Sequence, residues 1–252
     1  MTPPIAIATP RGLLHRIGRA PDAWAWPDWA FAGDDATFGN RYDDPAGDYR
    51  VLYASSERVG AFVEVLARYR TDPALVAEYA QIATGDDEEH PTIPPGIVPG
   101  DWPTRRHVGT AVHPGNFADV GHSDSLAHLR AALTSRLVHF GVDDLDGGEL
   151  RSRAPRTLTQ EISRYVFERG ADAGGRSLAG IRYLSRLGDD FENWAMFEGT
   201  EPEDATSEPM VNDDVDLVAA LAKLDLRLGG RGAGRVPLVN SPPPGGSPSG
   251  RR

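Results

Sequence analysis

The chain has 252 residues, 40% of them hydrophobic, enough for one large domain or two small ones around a sizeable core. Its formal net charge is −11 and its 26 Lys and Arg residues are spread without a basic block, so nucleic acid is not expected as a direct partner. With 0 cysteines there is no disulfide, no thiolate nucleophile and no Cys-ligated zinc.

Residues 1–10 are Pro-rich and read as a loose arm without the basic-then-apolar pattern of a leader. No stretch approaches the ~18 apolar residues of a membrane span, so the cytoplasm is the expected compartment. Leu13 to Ile17 reads as a short edge-like strand, and Trp24, Trp26 and Trp29, interrupted by Pro21 and Pro27, as a packed structural loop. The stretch from Phe38 to Arg70 organises the rest. Arg41 and Tyr42 precede an Asp43-Asp44-Pro45-Ala46-Gly47 turn, Tyr49 to Ala54 has strand composition, and a helix starts near Ser55 or Ser56. Val59, Phe62, Val63 and Leu66 form its buried stripe, with Glu64 off that stripe beside the small Gly60, Ala61 and Ala67.

Thr71-Asp72-Pro73 opens a predicted helix through Ile82 that ends at Gly85. The acidic, Pro-rich residues 85–104 read as an exposed insertion. Arg106 to Val112 is a predicted strand, Ser123 caps a helix burying Leu126, Leu129, Leu133 and Leu137, and Asp143 to Glu149 is a turn. A helix from Thr157 or Thr159 ends with Gly170 at C′, followed by strands at Gly180 to Ser185 and Trp194 to Phe197 around a Gly188-Asp189-Asp190 loop. Asp213 is positioned to cap a last helix through Val215, Val218, Leu221 and Leu224, and residues 229–252 have the composition of a disordered tail.

Common catalytic templates are missing: there is no GxSxG, GxxxxGK[ST], GxGxxG or HExxH motif. His113, His122 and His128 lack the spacing of a zinc-binding helix and read as solvent-exposed, so no metal is expected.

Taken in order, Arg41 in a turn, the Tyr53-Ala54-Ser55 strand end, Glu64 on the following helix and the late Gly180-Ile181-Arg182-Tyr183-Leu184-Ser185-Arg186 segment resemble the RES domain, over roughly Leu13 to Glu198. The resemblance implies an α+β fold related to ADP-ribosyltransferases: a single domain over residues 11–228 with a small central mixed β-sheet flanked by helices. It also implies a toxin that destroys NAD, by phosphorolysis with inorganic phosphate or by hydrolysis, held in check by an Xre-like antitoxin with a helix-turn-helix module that blocks the pocket.

Cleaving the bond to nicotinamide needs few parts, because the leaving group already carries positive charge and the enzyme mainly stabilises an oxocarbenium-like transition state. On this resemblance Arg41 is the residue for the pyrophosphate, where a guanidinium forks onto two oxygens; its alternative is a surface ion pair with Asp43 or Asp44. Glu64 is placed near the nicotinamide ribose; its alternative is an exposed pair with Arg68 worth about 0.3–0.5 kcal/mol. Tyr42 and Tyr53 are candidates for shaping the nicotinamide pocket, Ser185 for orienting ribose or phosphate, and Trp194 for walling the site, although Tyr and Trp on strands also serve as plain core. Arg16 or Arg186 is expected to join Arg41, with Gly60 or Ala61 in the pocket floor. Rival readings are transfer of ADP-ribose to a protein and a noncatalytic interaction protein that docks through the acidic insertion and the tail.

Overall fold

The computed structural model describes residues 2–72, 96–139, 141–152, 156–172 and 174–230. The strands are β1 (Ile7–Ala8), β2 (Leu14–Arg19), β3 (Val51–Ser55), β4 (Ile97–Val98), β5 (Arg106–Val112), β6 (Asn116–Asp119), β7 (Leu178–Ser185), β8 (Gly188–Phe197), β9 (Glu203–Pro209) and β10 (Arg227–Leu228). The helices are α1 (Arg58–Leu66), α2 (Ser123–His139), α3 (Gly147–Arg151), α4 (Thr157–Arg169) and α5 (Val215–Lys223).

The fold is α+β, built on one 8-stranded sheet of order β1-β6-β7-β8-β3-β2-β5-β9, so the central sheet is larger than the small one expected. The sheet is mixed because β6 and β7 run parallel while its other pairs are antiparallel. Its central strands alternate between two apolar environments. From β8, Phe191, Ala195 and Phe197 face the helices, whereas Trp194 and Met196 face a separate cluster with Leu14, Leu52, Ala54 and Phe117. The helices divide their face. Leu129 and Leu133 of α2 and Ile162 and Val166 of α4 pack on Ile181, Ala195 and Phe197, while Phe62 and Leu66 of α1 with Leu217 and Leu221 of α5 pack on Ile17, Val108 and Phe191.

Local chemistry explains the helix ends. Gly170 takes the left-handed conformation (φ 66°) that ends α4 as expected, and the Asp146 and Asp214 carboxylates accept from the first free N–H groups of α3 and α5. The last cap is therefore Asp214 rather than Asp213. The face of α5 also differs from the expected one: Leu217, Ala220 and Leu221 are buried, and Val215 and Val218 are exposed. Helix α1 begins later than expected because the Ser55 and Ser56 hydroxyls donate to the Glu192 carbonyl and carboxylate instead of capping a helix.

Three further expectations are corrected. The N-terminal arm is not loose: Ile5 is buried in the core, β1 pairs with β6, and the Ser125 hydroxyl accepts from Ala6 N–H. The insertion is not wholly exposed, since β4 pairs in parallel with β10 and Val98 and Trp102 are buried. His113 is buried beside Phe117, and burial lowers its pKa. The helix expected from Pro73 to Gly85 and the tail from Arg231 on lie outside the described residues. Among the described residues no helix is long and apolar enough to cross a membrane, and no cluster of His, Asp and Glu has the makings of a metal site.

Candidate active site

Where α1 and α4 leave the helix-bearing face of the sheet between them, the polar side chains concentrate. The register sets Tyr183 of β7 directly opposite Asn193 of β8, and strand alternation turns both toward the helices. Asn193 is buried and its Nδ2 donates to Glu64 Oε1 at 2.9 Å, which draws the α1 carboxylate down onto the sheet rather than out to Arg68. Close approach of α1 depends on Gly60, where a Cβ would lie 2.5 Å from Ser55 Oγ and 3.1 Å from the Phe191 ring. Gly60 and the buried Ala61 thus belong to the helix–sheet contact and not to a pocket floor.

The turn bearing Arg41 is pinned to β3 by a half-buried network centred on the buried Asp43. Tyr53 OH donates to Asp43 Oδ1 at 2.8 Å and accepts from Tyr42 N–H at 3.0 Å. Asp43 Oδ2 accepts from the backbone and side-chain N–H groups of Asn40 at 2.7 and 3.0 Å. Burial nevertheless outweighs these bonds and raises the Asp43 pKa. The Tyr42 ring packs 4.9 Å from that of Tyr183, and its hydroxyl is buried without a hydrogen-bond partner among the described residues. Burial raises the pKa of Tyr42, Tyr53 and Tyr183; for Tyr183 the Glu64 carboxylate adds to this and the Arg41 guanidinium opposes it. The fields of Glu64, Tyr42, Arg41 and Asp43 all act on that one phenol. Of the residues singled out in the sequence, Tyr42 thus packs directly on Tyr183, Glu64 and Arg41 act on it through their charge, and Tyr53 joins the group through its hydrogen bonds to Tyr42 and Asp43.

Arg41 pairs with neither Asp43 nor Asp44; its guanidinium caps α3, donating to the Leu150 carbonyl and, at 3.4 Å, to that of Arg151. Arg151 in turn reaches Asp189 on the β7–β8 hairpin at 2.6 Å. Under this bridge lies a cavity of about 60 Å³ lined by Tyr42, Leu150, Arg151, Arg182 and Tyr183 among others. That volume holds a few waters, not a dinucleotide. An open hollow of about 640 Å³ between α2 and α4 shares no residue with this cluster, and its Arg136 and Arg164 are already ion-paired.

Two candidates do not join the cluster. Trp194 points to the opposite face, buried against Phe117 with its Nε1 donating to Ser56 Oγ at 2.9 Å, because it follows Asn193 by one residue in a strand. Ser185 is buried, and its hydroxyl accepts from Leu187 N–H at 3.0 Å to tighten the β7–β8 hairpin. Arg16 is likewise committed to structure. Its guanidinium donates to the Ala23 and Tyr53 carbonyls, and burial lowers its pKa to about 10. Arg186 is exposed on the hairpin. The cations beside the cavity are instead Arg151 and Arg182, the latter held by Glu192 and Asp119.

Sequence reasoning missed Asp43 as a network centre, Tyr183 and Asn193. A usable signal existed for the last: an Asn amid the aromatic residues of Phe191-Glu192-Asn193-Trp194-Ala195-Met196-Phe197 is a buried amide that needs a partner.

A family model described as the RES domain matches residues 13–219. The chain belongs to the RES domain family. At the level of the family this makes it a toxin-like, NAD-related domain. No curated protein sequence matches it.

Proposed function

We propose that this RES domain consumes NAD by cleaving the bond between nicotinamide and its ribose in the cleft around Tyr183. The observation that carries this reading is Glu64: a carboxylate that Asn193 draws onto the sheet and whose field acts together with that of Arg41 on Tyr183, a half-buried ring packed on the buried Tyr42. Positive charge develops on the ribose as nicotinamide leaves, and a preorganised carboxylate in a partly dry cleft stabilises it without a general acid. The apolar faces of Tyr42 and Tyr183 suit a flat aromatic leaving group. Arg41 is the group for the pyrophosphate, and taking it up means exchanging the Leu150 and Arg151 carbonyls for phosphate oxygens. That exchange releases α3 and enlarges the cavity.

The second substrate is water or inorganic phosphate, and an Xre-like antitoxin that covers the cleft is the partner this reading calls for. Incubating the purified chain with NAD, with and without phosphate, tests it. Loss of NAD with release of nicotinamide supports the proposal; ADP-ribose phosphate marks phosphorolysis, and ADP-ribose formed at the same rate in both conditions marks hydrolysis. No turnover at high enzyme concentration, with the chain free of any bound inhibitor, overturns it.

A further inference from the structure

We propose that an arginine patch formed by the end of β2, the start of β5 and the turn after α1 docks an acidic peptide segment of a partner protein. This inference is independent of the NAD reading. It starts from the sheet register, which sets Arg19 of β2 directly opposite Arg106 of β5. Like charges in directly opposed positions of an antiparallel pair are destabilising. Arg68 and Arg105 add to the concentration of charge, and Arg106 feels it: burial, then Arg68 and Arg19, lower its pKa. Among the described residues the one ion pair in this group is Arg105 with Asp101. A chain of net charge −11 has carboxylates in excess, yet Arg19, Arg68 and Arg106 pair with none of the described ones.

The aromatic surroundings point to a protein surface. The Arg19 guanidinium lies 4.7 Å from the ring centre of Phe31, which is 63% exposed, Arg68 lies 5.1 Å from Tyr69, and Arg106 lies 5.7 Å from Trp102. Among the described residues Trp102 Nε1 is buried without a hydrogen-bond partner. Arg with Trp, Tyr and Phe is the composition of interface centres. None of these residues lines either of the two hollows described above, which disfavours a small molecule. A long polyanion such as nucleic acid would feel the whole negative chain, whereas a short acidic segment feels chiefly the local guanidiniums and matches their fork geometry.

The probe is fluorescein-labelled octaglutamate, titrated by anisotropy into the full chain at low salt. Saturable binding that weakens with added salt is expected, and it should weaken at least tenfold in Arg19→Gln/Arg106→Gln while staying unchanged in Arg130→Gln, an exposed arginine elsewhere. The double variant should also melt at a higher temperature than the parent, because the cross-strand repulsion is gone; that readout shows the fold is intact, and Arg19→Gln alone serves if the pair does not express. Binding equal in parent and double variant overturns the proposal. So does a single-stranded oligonucleotide of equal charge that displaces octaglutamate at a lower concentration than unlabelled peptide. Tenfold tighter octaglutamate binding by a chain with Asp86, Asp87, Glu88 and Glu89 all made neutral also overturns it, since the counter-charge would then be internal.

Discussion

Asn193 and Trp194 are neighbours in the chain and face opposite sides of the sheet, and the two sides are built differently. Around Trp194 the packing is apolar apart from His113, whose ring meets Phe117 and whose Nε2 is buried with no partner among the described residues, and the one polar atom of the indole has its partner in Ser56. Around Asn193 and Tyr183, Asp43 and the Tyr42 hydroxyl are also buried, the first with a raised pKa and the second with no partner among the described residues. Burying such groups costs stability, and a stable fold alone would not call for them. The comparison teaches where to look for function: the Trp194 side holds one such group in His113, whereas the other side gathers Asp43, Tyr42, Tyr183 and Asn193 together, and that concentration marks it as the candidate site.

The sharpest way to break the comparison is to truncate each side. Trp194→Ala removes a large buried ring and should destabilise by about 3–5 kcal/mol, read as a lower denaturant midpoint, with the catalytic constants of the surviving folded fraction unchanged. If it abolishes turnover in folded protein, Trp194 belongs to the site and the two faces are not separable. Tyr53→Phe acts on the other side. It removes one donor to Asp43 and the acceptor for Tyr42 N–H, for an expected loss of about 1–3 kcal/mol, and it frees the Arg41 turn, so NAD turnover should fall by more than the stability loss explains. Unchanged turnover would mean that the turn is held by other contacts.

A smaller effect sharpens the contrast through pH. Asp214 joins α5 to α1 through Arg58 at the N-cap of α5. Burial works against its ionisation, but Arg58 and the backbone N–H groups of Leu217 and Asp216 prevail and lower its pKa. Its contribution is therefore present above the unfolded value near ~3.9 and lost as pH falls through the lower folded value. Asp214→Asn, which keeps a cap, should lose roughly 0.5–1 kcal/mol at pH 7 and approach the parent at pH 3. Asp43 has the opposite sign. Its folded pKa is raised, so its contribution is present below the unfolded value and lost as pH rises through the folded one, and Asp43→Asn should gain on the parent as pH rises. Parallel pH trends in the two variants would contradict the assignment.

How far the sequence could be read follows the same physics. The helices α1, α2 and α4 were legible because one stripe of each is apolar, and so were the central strands rich in aromatic and branched residues. Strand β9 was not, because Glu203–Pro209 is an edge strand whose residues are largely exposed and whose composition is that of a loop. Strand β1, with two residues, is too short to show a period. At the site, the clustering of Arg41, Tyr42, Tyr53 and Glu64 followed from the order turn, strand, helix. Register decided the rest: one residue separates Asn193, which holds Glu64, from Trp194, which the strand turns to the other face. The hydrogen bonds of Arg16 to the Ala23 and Tyr53 carbonyls carry no local signature at all, whereas that of Ser185 is a local turn contact with Leu187 N–H.

The central claim, that Glu64 on the Tyr183 face does the chemistry, is tested most directly by nicotinamide release from NAD in the parent chain and in Glu64→Gln. The substitution keeps the shape and an oxygen acceptor for Asn193 while removing the charge, so the circular dichroism spectrum and melting curve should match the parent. The account predicts a loss of nicotinamide release on the order of 10²-fold or more, as expected when a transition-state electrostatic contact is removed. Release within threefold of the parent by the folded Glu64→Gln chain would contradict it.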